Sequence, residues 1–278
     1  RIFKGWAKPG LFAPAGESVA DGETLDAISG DYRIFQLRDG HRFSTDDVLV
    51  AWYGTTHAPR VETVLDLGSG IGSVGMVAAW RLPNARFVTV EAQEISVRLA
   101  RKSAAYNGLT HRYQIRQGDF RDSGLIDANE SFDLVLGSPP YFPLDTGLLG
   151  DHPQKVECRF EVRGDLGDYT RVAARHLAWG GVFACVFPIA PVHQRARVLS
   201  AAESAGLAIL RERPVVLKEG EEPLLGLFLL CKADQIPENR RAPDGNHWIE
   251  PPLTIRNKDG TTHPEYAVVK MSFGFPPT

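Results

Sequence analysis

Ser138-Pro-Pro-Tyr141 is a set of residue types with a narrow chemical use. Pro139 and Pro140 fix φ and lack an N–H, so the backbone carbonyls of this stretch can be held outward as acceptors on a rigid extended turn. Ser138 adds a side-chain oxygen, and Tyr141 adds a flat aromatic face. Two acceptors beside a stacking face suit a planar group that carries an NH2. Its lone pair is delocalised into the π-system, and hydrogen bonds to both N–H groups favour the pyramidal form that can attack an electrophile in line. No strong general base is needed, because the nitrogen becomes acidic once alkylated, and catalysis is then mainly orientation plus acceptor placement.

A second set lies upstream. Val64-Leu-Asp-Leu-Gly-Ser-Gly-Ile-Gly72 leaves an apolar run and enters a helical one through Gly68, Gly70 and Gly72. Glycines there allow a sharp backbone turn and leave no Cβ between the loop and a ligand, so Gly68, Ser69, Gly70 and Gly72 are expected to lie against a bound molecule. Gly70-Ile-Gly72-Ser-Val-Gly75 also fits the dinucleotide pattern G-x-G-x-x-G, with Glu91 at the end of the next strand to hold ribose hydroxyls. Asp66 weighs against a pyrophosphate, which a carboxylate at that position repels. It favours the ammonium and sulfonium end of S-adenosylmethionine. Asp119, after the third strand, can accept from an adenine amino group while Phe120 packs nearby. Asp66, Glu91 with Ala92, and Asp119 then lie along one crevice at the carboxyl ends of the strands.

These residues need a frame that brings strand ends together. From Val61 short apolar runs alternate with helical periods: strands at 61–67, 86–91, 113–116, 132–137 and 182–187, helices at 72–81, 93–106, 166–177 and 192–205. The alternation predicts a doubly wound α/β fold, a mostly parallel seven-stranded sheet covered on both faces. The last two strands, near 207–216 and 224–232, are joined through Lys218-Glu-Gly-Glu-Glu222 and should form a terminal antiparallel hairpin. Before the core, residues 1–30 lack a sustained period and read as an irregular arm. A strand is expected at 32–37, and Ser44 or Thr45 with Asp46 and Asp47 can cap a helix through Trp52, with capping favoured for both acids over bordering the cofactor. After Ala233 the chain is polar and Pro-rich, with a strand pair expected at 253–256 and 266–272. The organisation is thus an arm and covering segment at 1–53, a core at 54–233 and a tail packed on it at 234–278.

Composition narrows the partners. The 278 residues carry 31 Lys and Arg against 34 Asp and Glu, a formal net charge of −3, so any nucleic-acid contact must be local rather than spread over a basic surface. Local candidates are Arg1, Lys4 and Lys8, the segment from Lys155 to Arg163, and Arg240-Arg241, all with solvated surface charge as the ordinary reading. The longest apolar run, 224–231, is far short of the roughly 20 residues that span a bilayer, so no membrane association is expected. Cys158, Cys185 and Cys231 share no C-x-x-C spacing, and His41, His111, His152 and His176 show no ligand spacing. No metal site and no disulfide are expected, and a reducing cytoplasm is the expected compartment.

The two motifs together resemble the class I S-adenosylmethionine-dependent amino-methyltransferases with the signature [Asp/Asn/Ser]-Pro-Pro-[Tyr/Phe/Trp]. Within that group the chain is most similar to the bacterial tRNA(valine) adenine-N6 methyltransferases. Gly22 to Asp26, Ile34 to Gln36 and Gly40 to Leu49 resemble the family segment that helps cover the cofactor. Asn107-Gly-Leu109, Arg159-Phe-Glu161 and the stretch from Gly260 to Tyr266 also look family-like, so the resemblance covers about residues 22–270. It implies S-adenosylmethionine as cofactor, tRNA as partner, a monomer, and Ser138, Pro139, Pro140 and Tyr141 as the transfer site. The tRNA family usually has Asn at the position of Ser138, and Ser is better known from DNA cytosine-N4 enzymes. The related glutamine methyltransferases of release factors share the turn. Acceptor identity therefore stays open between tRNA, DNA and protein. A nicotinamide-dependent oxidoreductase and a non-catalytic binding module are the readings from other classes.

Overall fold

The computed structural model describes residues 16–142, 154, 160–236, 238 and 247–275, with the backbone of two short paired strands, β1 (Ile2–Phe3) and β2 (Trp6–Ala7). Arg1, Lys4, Lys8, His152, Lys155, Cys158, Arg159, Arg240 and Arg241 lie outside the described residues.

The expected α/β alternation is present: β5 (Thr63–Leu67), α2 (Ser73–Arg81), β6 (Arg86–Glu91), α3 (Glu94–Tyr106), β7 (Tyr113–Gln117), β8 (Phe132–Gly137), α4 (Leu166–His176), β9 (Leu177–Pro188) and α5 (Val192–Ser204). β10 (Leu207–Lys218) and β11 (Leu225–Lys232) form the antiparallel hairpin, and β11 lies between β10 and β9. The order across the sheet is β10-β11-β9-β8-β5-β6-β7, with β5 to β9 all parallel. Consecutive strands β5, β6 and β7 step one way and β8 and β9 the other, so the order reverses between β5 and β8, where such sheets open a crevice at the strand ends.

Alternation along each strand divides the core into two layers. Val64, Leu134, Leu136 and Ala184 pack with α2, α3 and the preceding helix α1 (Thr45–His57). Leu65, Leu67, Val135 and Phe183 pack with Tyr169 and Val172 of α4 and Val198 of α5 on the other face. α1 runs through position 53, the expected end of the covering segment, and its Val48 to Tyr53 stretch is part of the core.

Three segments differ from expectation. Residues 23–29, read as irregular, form β3 (Glu23–Ser29), paired antiparallel with β4 (Tyr32–Leu37) across a turn at Gly30-Asp31. Glu, Thr, Asp and Ser dilute its strand signal, and only its ends are buried, so no clean alternation shows. Residues 264–271 form a helix, α6 (Pro264–Met271), where a strand was expected from Tyr266, Val268 and Val269. Helix-start chemistry wins there: Pro264 opens the first turn and the His263 ring accepts from the Glu265 N–H at 3.3 Å. Last, among the described residues the sheet has nine strands rather than seven, because β12 (Trp248–Ile249) and β13 (Leu253–Arg256) both pair in parallel with β10.

The β3–β4 hairpin is held to α3 by a buried carboxylate. Glu23 meets Arg98 at 2.7 Å and Lys102 at 2.5 Å, and the Lys102 ammonium also sits 4.4 Å over the Phe35 ring. Burial pushes the Glu23 carboxyl up, but Lys102, the Ala20 N–H and Arg98 outweigh it and hold the group below its ordinary 4.5. A carboxyl depressed in the folded state contributes stability above its unfolded value and loses it as pH falls through the folded one. Glu23→Gln is therefore expected to cost roughly 1–2 kcal/mol near neutral pH, less than a fully enclosed pair because Arg98 is half exposed. Urea melts of both proteins should show that gap shrinking below pH 4.5.

Candidate functional site

Register brings the two motifs together. β5 and β8 pair as Asp66↔Leu136 and Leu67↔Gly137, so the chain leaves the sheet as Gly68 on one strand and as Ser138 on its neighbour. Both segments line one cavity of about 680 Å³, in the range of small-molecule sites. The ends of β6 and β7 supply Glu91, Ala92, Gly118, Asp119 and Phe120, and the near side is closed by Arg38, His41 and Arg42 from the segment before α1 with Asp46 and Asp47 from its first turn.

Each strand end is shaped by local bonding. The loop after β5 turns through Gly68, Gly70 and Gly72 at φ of +59°, +53° and +86°. A Cβ on Gly68 would stand 2.0 Å from the Tyr169 hydroxyl, whereas one on Gly70 would meet nothing within 4 Å among the described residues. The loop is thus clamped from α4 at its start and open to the cavity in its middle. Glu91 fixes that open part, accepting from the Gly70 N–H at 2.8 Å through Oε2 and from the Gln93 N–H at 2.7 Å through Oε1. Burial pushes the Glu91 carboxyl up, and the N–H groups of Gln93, Gly70 and Ala92 oppose this. A carboxylate offers about four acceptor sites, so with three N–H groups already on it about one remains for a ligand hydroxyl.

Asp66 is placed differently from the sequence argument. It is 1% exposed and does not line the cavity; its Oδ2 accepts from the Gly75 N–H at 2.9 Å. Period-two alternation explains this, since Asp66 shares the strand face of Val64 and points under the first turn of α2, where a carboxylate suits the helix N-terminus. Gly72, in the left-handed region at the N-cap of α2, likewise does not line the cavity.

Asp46 and Asp47 instead reach the cavity wall. Asp47 takes the capping task expected of both: its Oδ2 accepts from the Ser44 N–H and the Ser73 hydroxyl, each at 3.0 Å. Asp46 has a different partner, the Tyr141 hydroxyl, which donates to its Oδ2 at 2.7 Å. Burial pushes the Asp46 carboxyl up, and the Tyr141 bond partly offsets that. Asp119 sits at the cavity edge in a two-bond pair with Arg121, which holds its carboxyl low, and Phe120 meets Tyr169 edge-on at 4.7 Å.

The Pro-Pro turn is well braced. The Tyr141 ring meets Phe187 edge-on at 5.8 Å. Just beyond it the Phe142 carbonyl accepts from the Glu161 N–H at 3.0 Å, so residues on either side of the 143–159 segment are pinned together. Among the described residues no backbone N–H reaches the Pro139 carbonyl. Gln154 ties the covering segment down: its Oε1 accepts from the His41 N–H at 2.9 Å and its Nε2 donates to Ser96 on α3 at 3.0 Å.

Sequence reasoning missed Tyr169, Gln154 and Gln93 as contributors to this site, and had Arg163 only as the end of a charged segment that could meet nucleic acid. None belongs to either motif, and Tyr169 faces the cavity only because α4 folds back over Gly68 and Gly137.

Residues 49–145 match the family model of the Methyltransferase small domain. Among curated proteins, the chain is 37% identical over 124 residues to a tRNA1(Val) (adenine(37)-N6)-methyltransferase of Porphyromonas gingivalis, a match that covers 43% of this chain and 48% of that protein. It thus spans about half the length of that relative. A protein of the same name from Shewanella amazonensis is 28% identical over 198 residues, 69% of this chain and 80% of its own. Among solved structures, that of a predicted O-methyltransferase of Agrobacterium tumefaciens superposes with a TM-score of 0.60 at 18% identity, covering 84% of this chain and 98% of that one. The fold is that of the class I methyltransferases.

Proposed function

We propose that this chain, an S-adenosylmethionine-dependent methyltransferase built on a methyltransferase small domain, methylates the exocyclic N6 amine of an adenine in tRNA. The register Leu67↔Gly137 carries the reading, because it sets the glycine loop and the Ser138 turn side by side on one cavity.

The cavity suits the cofactor on its own chemistry. Gly70 leaves open space above the loop, and the buried Ser69 hydroxyl, also on the wall, has no partner among the described residues. Asp46, Asp47 and Glu91 give the wall an acidic character that favours a cationic ligand and disfavours the pyrophosphate of a dinucleotide. Glu91 and Asp119 would hold the nucleoside, with Phe120 beside its base, and Gly68, Ser69, Gly70 and Ala92 would form the cradle. When bound, S-adenosylmethionine supplies an electrophilic methyl group on its sulfonium.

The residues of the chain then act on the acceptor. Ser138 Oγ and the Pro139 carbonyl accept from the two N–H groups of the amine, Pro140 keeps the turn rigid, and Tyr141 offers its face to the ring. The amine lone pair is thereby turned toward the methyl, and its surplus proton leaves once the nitrogen is alkylated. A stacked base must be flipped out to reach this depth. Arg38, Arg42 and Arg163 at the cavity wall supply local positive charge that suits a phosphate backbone despite the net charge of −3. The names of the relatives support tRNA as partner. The reading includes the cytoplasm as compartment and a monomer as the working form; among the described residues no helix is long and apolar enough to cross a membrane.

Incubation with methyl-labelled S-adenosylmethionine and, separately, total RNA, DNA and protein tests this. Label is expected in RNA and should be recovered as N6-methyladenine after digestion. Label confined to protein would replace the nucleic-acid reading with glutamine methylation.

A further inference from the structure

Tyr141 is followed by a second aromatic residue, Phe142, which lies on the same cavity wall with 44% of its surface exposed. Single exposed apolar side chains are ordinary on a protein surface, so exposure alone means little. Position sets this one apart. Phe142, Trp179 and Trp248 are the exposed aromatic residues among those described, and of the three only Phe142 lines the cavity.

The ring is also held in place. Phe142 pairs with Phe160 in a parallel bridge, and its carbonyl accepts from the Glu161 N–H at 3.0 Å. Glu161 is fixed in turn by an ion pair with Arg197 of α5. Phe160, itself 6% exposed, backs the Phe142 ring with centroids 6.0 Å apart. A flat apolar face on a pinned backbone, with few side-chain torsions to freeze, loses little entropy when a ligand covers it.

Phe142 and Tyr141 are not set to hold one ligand between them. Their rings stand at 70° with centroids 6.4 Å apart. Tyr141 is not free to turn toward its neighbour, because Asp46 holds its hydroxyl and Phe187 meets its ring edge-on. A planar group stacked on Tyr141 would stand steeply to Phe142 and touch it edge-on, so the two faces suit two different rings. Consecutive bases of an unpaired strand can take two planes at such an angle, whereas bases within a duplex stay stacked in parallel. A glutamine side chain has a single planar amide and would leave the second face bare. Arg163, on the same wall, supplies positive charge suited to the phosphate that links two such bases.

We propose that Phe142 stacks the base adjacent to the target in an unpaired stretch of nucleic acid, which makes it a substrate-binding residue beside the transfer set Ser138 to Tyr141. The proposal rests on the nucleic-acid reading above. It adds that the chain grips more than one nucleotide and takes its target from an unpaired strand.

Steady-state kinetics of Phe142→Leu, Phe142→Ala and Phe142→Tyr test this, on whichever of RNA or DNA the wild type labels. Leucine keeps an apolar contact for Phe160 but has no flat face, and tyrosine keeps the face. KM for the polynucleotide should rise by about 10-fold or more in both Phe142→Leu and Phe142→Ala, in the range lost when one base is unstacked from an aromatic ring, with kcat within about threefold. Phe142→Tyr should recover most of that loss. Thermal melts and calorimetric affinity for S-adenosylhomocysteine report folding, and both should stay near wild-type values in Phe142→Leu and Phe142→Tyr. A purely structural role predicts the opposite ranking, in which leucine rescues what alanine loses. That ranking, a wild-type KM in Phe142→Leu, or a matching loss of cofactor affinity in it would each overturn the proposal while leaving methylation of nucleic acid standing. Label from the wild type in protein alone, or in no pool, would overturn the nucleic-acid reading and this proposal with it.

Discussion

Ser138→Ala combined with Tyr141→Ala is expected to lower methyl transfer by about 10³-fold or more while S-adenosylhomocysteine affinity changes by less than about threefold. The size follows from what is removed. On the proposed function, one acceptor for the amine and the aromatic face that orients its ring go together, and a single well-placed polar group in such a site commonly accounts for a factor of 10² to 10³. The cofactor side is spared because the glycine loop, Glu91 and Asp119 leave different strands and keep their own bonds. Single-turnover rates with labelled cofactor measure the first quantity and calorimetry the second. Transfer at more than a tenth of the wild-type rate would place the chemistry elsewhere in the cavity.

Gly68→Ala is expected to act on the other half of the site, weakening S-adenosylhomocysteine binding by about 10²-fold and lowering stability by roughly 2–4 kcal/mol. Two costs combine. An L-residue at φ +59° is strained, and the new Cβ would stand 2.0 Å from the hydroxyl of Tyr169, a buried ring with little room to retreat. Tyr169→Phe removes that oxygen and leaves the ring carbon at 3.0 Å as the nearest neighbour, so the pair Gly68→Ala with Tyr169→Phe should recover part of the stability but not the part owed to φ. Thermal melts of the two singles and the double separate the contributions. If the double melts no higher than Gly68→Ala alone, the contact with Tyr169 is not the cause.

The core was readable because its elements announce themselves locally. Apolar runs such as Val64 to Leu67 and Leu134 to Leu136 alternate with helical periods, and the glycines and prolines that end them have few other uses. What stayed hidden depends on contacts between distant residues. Asp46 and Asp47 look equivalent in the chain, and only the position of Tyr141 separates a partner of the Pro-Pro turn from a helix cap. Asp66 carried the right charge, but facing the α2 side of β5 it serves the Gly75 N–H instead of the cavity wall. For 264–271 the residues compete with one another: Val268 and Val269 favour a strand, Pro264 and Glu265 a helix start, and the helix packs against β13. Gln154 and Tyr169 carry no local signature at all, since their tasks exist only once α3 and α4 are in place.

The two short strands that widen the sheet bear on how the chain behaves in a crowded solution. β10 is twelve residues long and stands at the margin of the sheet; its neighbour β11 satisfies one side, and β12 and β13 cover the other along Arg211 to Glu212 and Val215 to Lys218. A bare strand of that length is a template on which another chain can pair and begin to aggregate. The segment after residue 247 thus acts as an edge guard, and its loss would leave the crevice on the far side of the sheet in place while exposing a surface that invites self-association.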